Sequence, residues 1–134
     1  MIINKKLLTT RNTIQKKGIL EYLKNVKTHP TAEIVFKKVI KKMPKITLAT
    51  VYRNLNQMAE QKKILRLEIN KEYHYDACTK KHQHGVCQDC GKIIDFFQNN
   101  ISDFAIKNLK TNKFKANNVS IMFKGLCDEC EVKK

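Results

Sequence analysis

The chain has 134 residues, with 27 Lys and Arg against 12 Asp and Glu, a formal net charge of +15, and five cysteines. That length is short for two ordinary domains but allows two small units if something staples them. No long apolar run and no N-terminal signal pattern occur, which reads as a cytoplasmic protein with no membrane partner.

The charge is lopsided: residues 1–63 carry 15 Lys/Arg against 3 Asp/Glu, a net +12, and residues 64–134 carry 12 against 9, a net +3. An excess confined to one half suits a phosphate-binding face, although a Lys-rich solvated surface has the same composition.

Leu7–Lys24 reads as a helix, with Ile14, Ile19, Leu20 and Leu23 at helical spacing and Thr9 or Thr10 as its cap. His29-Pro30-Thr31 interrupts the chain. Thr31 then caps a second helix carrying Ile34, Val35, Val39 and Ile40, which stops near Met43-Pro44. Thr47 caps a third helix from Leu48 to about Gln61, whose Val51, Leu55 and Met58 form an apolar stripe. Ile64–Ile69 and Tyr73–Ala77 read as strands around the turn-prone Asn70-Lys71. Three helices and a hairpin outline a winged helix-turn-helix, whose third helix enters the major groove. On its exposed face Tyr52, Arg53 and Asn54 are placed to read bases, with Thr50 and the lysines on phosphates.

Beyond Thr79-Lys80-Lys81 the pattern changes. His82–Cys87 and Lys92–Phe97 read as strands, Ser102–Leu109 as a helix and Phe114–Phe123 as a closing strand. The expected fold is α+β: a winged-helix DNA-binding domain over 1–77, a hinge at 78–81, and a small α/β dimerisation and metal-binding domain over 82–134.

Cys87-Gln88-Asp89-Cys90-Gly91 is a knuckle, and Cys127-Asp128-Glu129-Cys130 supplies a second pair of thiols. Four thiolates in two pairs suit a closed, structural Zn²⁺ site; reduced thiols or a redox pair are the plainer alternatives. On a strand His82 and His84 share a face, whereas Cys87 points to the other, which assigns the histidines to a different metal. The remaining ligands of that metal would be imidazole or carboxylate, and Asp95, Asp76 and His29 are candidates. Each also has an ordinary reading, as a lysine partner, a strand-closing residue and a turn residue.

Four stretches together resemble the ferric uptake regulator (Fur) family of bacterial metal-responsive repressors. They are His29-Pro30-Thr31-Ala32, Leu48-Ala49-Thr50-Val51-Tyr52-Arg53-Asn54-Leu55, His82-x-His84-x-x-Cys87-x-x-Cys90-Gly91-Lys92 and Cys127-x-x-Cys130. Within the family the chain is most similar to the peroxide-responsive (PerR) branch. That resemblance implies a regulatory Fe²⁺ or Mn²⁺ held by His29, Asp76, His82, His84 and Asp95. Asp rather than Glu at 95 and the lack of any histidine after His84 point to the same branch.

The resemblance further implies a homodimeric repressor of palindromic double-stranded operator DNA. Peroxide would react at Fe²⁺, oxidise His29 or His82 and end repression; a purely iron-responsive repressor is the nearest alternative. Cys78 is a thiol outside the family pattern, and His74, two residues before Asp76, is a competing ligand candidate. An enzyme is not expected, since neither H-E-x-x-H nor H-x-E with P-C-x-x-C occurs.

Overall fold

The structure, a computed structural model, describes residues 11–132. The expected caps Thr9 and Thr10, with Leu7 and Leu8, lie outside the described residues. The chain forms two compact units that divide between Thr79 and Lys80.

The first unit opens with α1 (Arg11–Lys24), which buries Gln15, Ile19 and Leu23. Those positions recur every four residues and define one helix face. Ile14 lies one residue off that line and is 57% exposed, against the core position expected of it. Thr31 caps α2 (Ala32–Val39) by accepting the Ile34 N–H at 3.4 Å. Glu33 in its first turn and Lys37 and Lys38 in its last complement the helix dipole. The regular helix ends four residues before the expected stop, and turns closed by Lys42 and Met43 N–H bonds to the Val39 carbonyl carry the chain on to Pro44.

Thr47 caps α3 (Leu48–Glu60), accepting the Thr50 N–H at 3.1 Å. Its far end is a Schellman motif: Lys62 N–H bonds to the Ala59 carbonyl and Lys63 N–H to that of Met58. Lys62 occupies the left-handed position (φ 62°) where glycine is usual.

β1 (Leu65–Ile69) and β2 (Glu72–Asp76) pair antiparallel, with Ile69 opposite Glu72. Asn70 and Lys71 between them both have positive φ (52° and 66°), as a two-residue type I′ turn requires. Tyr75 is fully buried and joins Val35, Val51, Leu55 and Met58 in one core, its hydroxyl donating to Asn56 Oδ1 at 2.9 Å. This is a winged helix.

In the second unit β3 (Gln83–Cys87) lies centrally, antiparallel to β4 (Ile93–Phe96) and parallel to β5 (Met122–Gly125). Gly85 suits close packing: a Cβ there would lie 2.8 Å from the Phe96 ring, which would have to shift.

α4 (Asn99–Lys107) starts three residues before the expected Ser102. The Ser102 hydroxyl is buried and accepts the Gln83 Nε2–H at 2.8 Å, while Gln83 Oε1 accepts the Gln98 N–H at 3.0 Å.

Of the expected strand Phe114–Phe123 only Met122 and Phe123 lie in a strand, β5, which runs on to Gly125. Its apolar alternation changes phase at Asn117-Asn118, so Phe114 and Ala116 cannot share a pleat register with Val119, Ile121 and Phe123. A short α5 (Asp128–Val132), absent from the sequence expectation, follows. No helix among the described residues is long and apolar enough to cross a membrane.

Candidate metal centres and DNA-reading helix

The sheet builds the thiolate centre. Cys87 ends β3 and pairs with Gly125 at the end of the parallel β5, so the knuckle after β3 and the cysteines after β5 emerge on the same sheet edge. The knuckle is closed by Gly91 N–H to the Cys87 carbonyl (3.0 Å) and Cys87 N–H to that of Lys92 (2.9 Å). Gly91 takes the left-handed φ of 80°. In α5 a helical turn, with Glu131 N–H on the Cys127 carbonyl, brings Cys130 beside Cys127.

The four sulfurs of Cys87, Cys90, Cys127 and Cys130 all lie within 4.8 Å of one another, and those of Cys90 and Cys127 are 3.7 Å apart. Sulfurs about 2.3 Å from a tetrahedral zinc stand about 3.8 Å apart, so the cluster fits Zn²⁺. Backbone N–H groups, that of Cys127 foremost, pull the Cys87 thiol down to about 6, whereas the neighbouring Cys127 thiol and burial push Cys130 far above its ordinary range. Four thiols so close cannot all ionise alone; a divalent cation removes that conflict.

Each unit also carries imidazole and carboxylate donors. In the first, buried His29 has a left-handed φ of 53°, and its Nε2 lies 3.3 Å from Asp76 Oδ2 at the end of β2. The other Asp76 oxygen accepts the Cys78 N–H at 2.9 Å.

In the second unit His84 pairs directly with Asp95 across β3 and β4. Opposed residues of an antiparallel pair share a face, and His82 joins them two positions before His84. Both Nε2 atoms approach the same Asp95 Oδ1, at 3.4 Å from His82 and 3.3 Å from His84. His82 Nδ1 sits 2.6 Å from the Lys80 carbonyl and must be its donor, so in the neutral ring the Nε2 lone pair faces a carboxylate oxygen. Two facing electron-rich atoms suit a cation between them.

Separations of 3.3–3.4 Å exceed ordinary N–H···O distances of about 2.7–3.2 Å. They match the roughly 3.0–3.4 Å between donors held about 2.1 Å from one divalent ion.

On α3, Tyr52 and Arg53 are exposed and Thr50 half-buried. The Tyr52 hydroxyl donates to the Glu33 carboxylate of α2. That bond pushes Tyr52 up to about 12 and holds Glu33 below its usual range. Arg53 Nη2 reaches Thr50 Oγ1 at 3.4 Å. Asn54, expected on this face, is instead fully buried among the core side chains, and neither its Nδ2 nor its Oδ1 has a hydrogen-bond partner among the described residues. The helical turn explains the miss: Asn54 is three residues from Val51 and four from Met58, inside the stripe that packs inward.

The ferric uptake regulator family model matches residues 8–124. The chain belongs to the ferric uptake regulator family.

The peroxide operon regulator of Bacillus subtilis (strain 168) is 34% identical to this Fur-family chain over 125 residues, 92% of this chain and 86% of that protein. The Campylobacter jejuni peroxide stress regulator overlays it with a TM-score of 0.79 at 28% identity, over 97% of this chain and 98% of that one. The Helicobacter pylori ferric uptake regulator Fur, described as having three functional metal binding sites, has the same TM-score of 0.79 at 26% identity, over 96% and 87%.

Three further side chains in this Fur-family protein support the donors, and sequence reasoning did not assign them that part. Gln83, between the two histidines, anchors β3 to α4. Phe97 stacks on the His82 ring at 5.0 Å and 20°. His74 turns its ring nitrogens to the His29 carbonyl (2.8 Å) and to Glu72 Oε1 (3.5 Å). For His74 the period-2 spacing to Asp76 was a usable signal; Gln83 and Phe97 gave none.

Proposed function

We propose that this chain is a homodimeric, metal-dependent repressor that binds a palindromic DNA operator and releases it on exposure to peroxide. The domains are a DNA-binding winged helix over 1–77, a hinge at 78–81 and a dimerisation and metal-binding part over 82–134. Cys87, Cys90, Cys127 and Cys130 hold structural Zn²⁺. His29, Asp76, His82, His84 and Asp95 together hold one regulatory Fe²⁺ or Mn²⁺. The observation that carries the reading is the sulfur-free donor set, above all two imidazoles converging on one Asp95 oxygen. Nitrogen and carboxylate donors suit Fe²⁺ and Mn²⁺, where thiolates would favour softer ions.

The donors come from both parts of the chain. Occupancy would therefore set the spacing of the two winged helices of a dimer, and operator half-sites demand a fixed spacing. Bound Fe²⁺ would supply the reducing chemistry that turns peroxide into an oxidant able to add oxygen to His29 or His82. An imidazole so altered is a poor donor, and the clamp is lost; the protein is consumed rather than turning over, which is sensing and not enzymology.

Tyr52 and Arg53 read bases from α3 and Thr50 steadies Arg53, with the basic N-terminal half on phosphates. A second copy of the chain would cover apolar surface of the C-terminal unit, where Phe97, Phe104 and Phe114 are each more than half exposed.

The test compares Fe²⁺-loaded and Mn²⁺-loaded protein on operator DNA after peroxide. Release by the iron form alone, with added oxygen found on His29 or His82 by mass spectrometry, is the expected result. Retention by both forms would favour an iron-responsive repressor, a reading the equal overlay on the H. pylori protein keeps in play.

A further inference from the structure

We infer that His74 is a positioning residue for the regulatory ion, acting through the backbone of His29 rather than as a ligand. The inference rests on the proposed role of His29 as a metal ligand.

Three consecutive residues of β2 grip the turn that carries His29. The Tyr75 N–H bonds to the Pro30 carbonyl at 3.0 Å. On either side of it in sequence, His74 Nδ1 lies 2.8 Å from the His29 carbonyl and Asp76 Oδ2 lies 3.3 Å from His29 Nε2. Side chains at 74 and 76 share a strand face, so one holds the backbone of His29 and the other faces its ring. A carbonyl only accepts, so His74 Nδ1 carries the proton in this contact.

The grip has something to oppose. His29 is left-handed at φ 53°, a conformation that a residue with a Cβ holds only when its surroundings over-determine it. Pro30 fixes one side of the turn through its ring, and Thr31 fixes the next step as the cap of α2. The His29 carbonyl is the remaining handle, and His74 takes it. Without that donor the peptide between His29 and Pro30 gains freedom to rotate, and the His29 ring loses its aim at Asp76. The other His74 nitrogen faces Glu72 Oε1 at 3.5 Å, which sets the ring plane from the solvent side.

The same geometry distinguishes His74 from a ligand. Asn at 74 keeps an N–H donor near the place of Nδ1 and would be a poor substitute for a metal-bound imidazole.

The experiment measures Mn²⁺ affinity of the zinc-loaded full-length protein, using Mn²⁺ alone as probe and electron paramagnetic resonance of the free ion as readout. Wild type, His74→Ala, His74→Asn and His29→Ala are compared, with zinc content and far-UV circular dichroism as checks on folding. His74→Ala is expected to weaken Mn²⁺ binding about 10-fold, the lower range for residues that orient metal ligands. His74→Asn should stay within about 3-fold of wild type, by the same restored donor. Equal loss in the Ala and Asn variants overturns the inference, as does wild-type affinity in His74→Ala while His29→Ala abolishes binding. If His29→Ala binds Mn²⁺ as wild type does, the metal-clamp reading itself falls, and the inference with it.

Discussion

Asn54→Leu separates two views of helix α3. Asn54 is fully buried, with no hydrogen-bond partner for its amide among the described residues. A buried amide without partners costs about 1–3 kcal/mol. Leucine has similar volume, and an allowance for imperfect shape leaves a net stabilisation of about 1–2 kcal/mol. For a unit of this size each kcal/mol moves the midpoint by roughly 4–8 °C, so the winged helix should melt at least about 4 °C higher.

The assay is a thermal melt by circular dichroism on zinc-loaded protein, run beside binding to operator and random duplex. Operator affinity should be unchanged, because the side chain does not reach the surface. A lower midpoint would refute the packing argument. A 10-fold or greater loss on operator with none on random DNA would show that Asn54 leaves the core to read a base.

Arg53→Ala should cost about 1–3 kcal/mol on operator and little on random duplex; equal losses in a fluorescence titration would remove it from base reading. Lys62→Gly should stabilise by about 1 kcal/mol, since glycine meets the left-handed Schellman position without a Cβ clash. If Lys62 also contacts a phosphate, the same variant lowers the slope of log K against log salt by about 0.9. Cys130→Ser should abolish stoichiometric zinc, measured by metal analysis, and unfold the second unit, because such a site supplies on the order of 10 kcal/mol; retained zinc and a native spectrum would contradict a closed four-thiolate centre.

Local signals served well wherever the physics was local. The caps at Thr31 and Thr47, the Asn70-Lys71 turn and the alternation of Leu65, Leu67 and Ile69 appear in the structure as read, since each depends on neighbours within four residues. Ile14 was misplaced because an apolar residue at helical spacing can lie one position off the face that meets the core, and Asn54 because its polarity was read ahead of its place in the Val51–Met58 stripe. The start of α4 was read three residues late, and the buried Ser102–Gln83 bond beneath it depends on the approach of β3, which no short stretch shows.

By itself the sequence determined the winged-helix outline, the two cysteine pairs and the separation of His82 and His84 from the thiols, because ligand chemistry and backbone period are properties of short stretches. Tertiary structure alone decided that β5 lies parallel beside β3, bringing Cys127 and Cys130 to the Cys87 knuckle. It also decided that Asp95 sits opposite His84 in register and that β2 grips the His29 turn. Those pairings join residues far apart in sequence, and packing, not local preference, selects them.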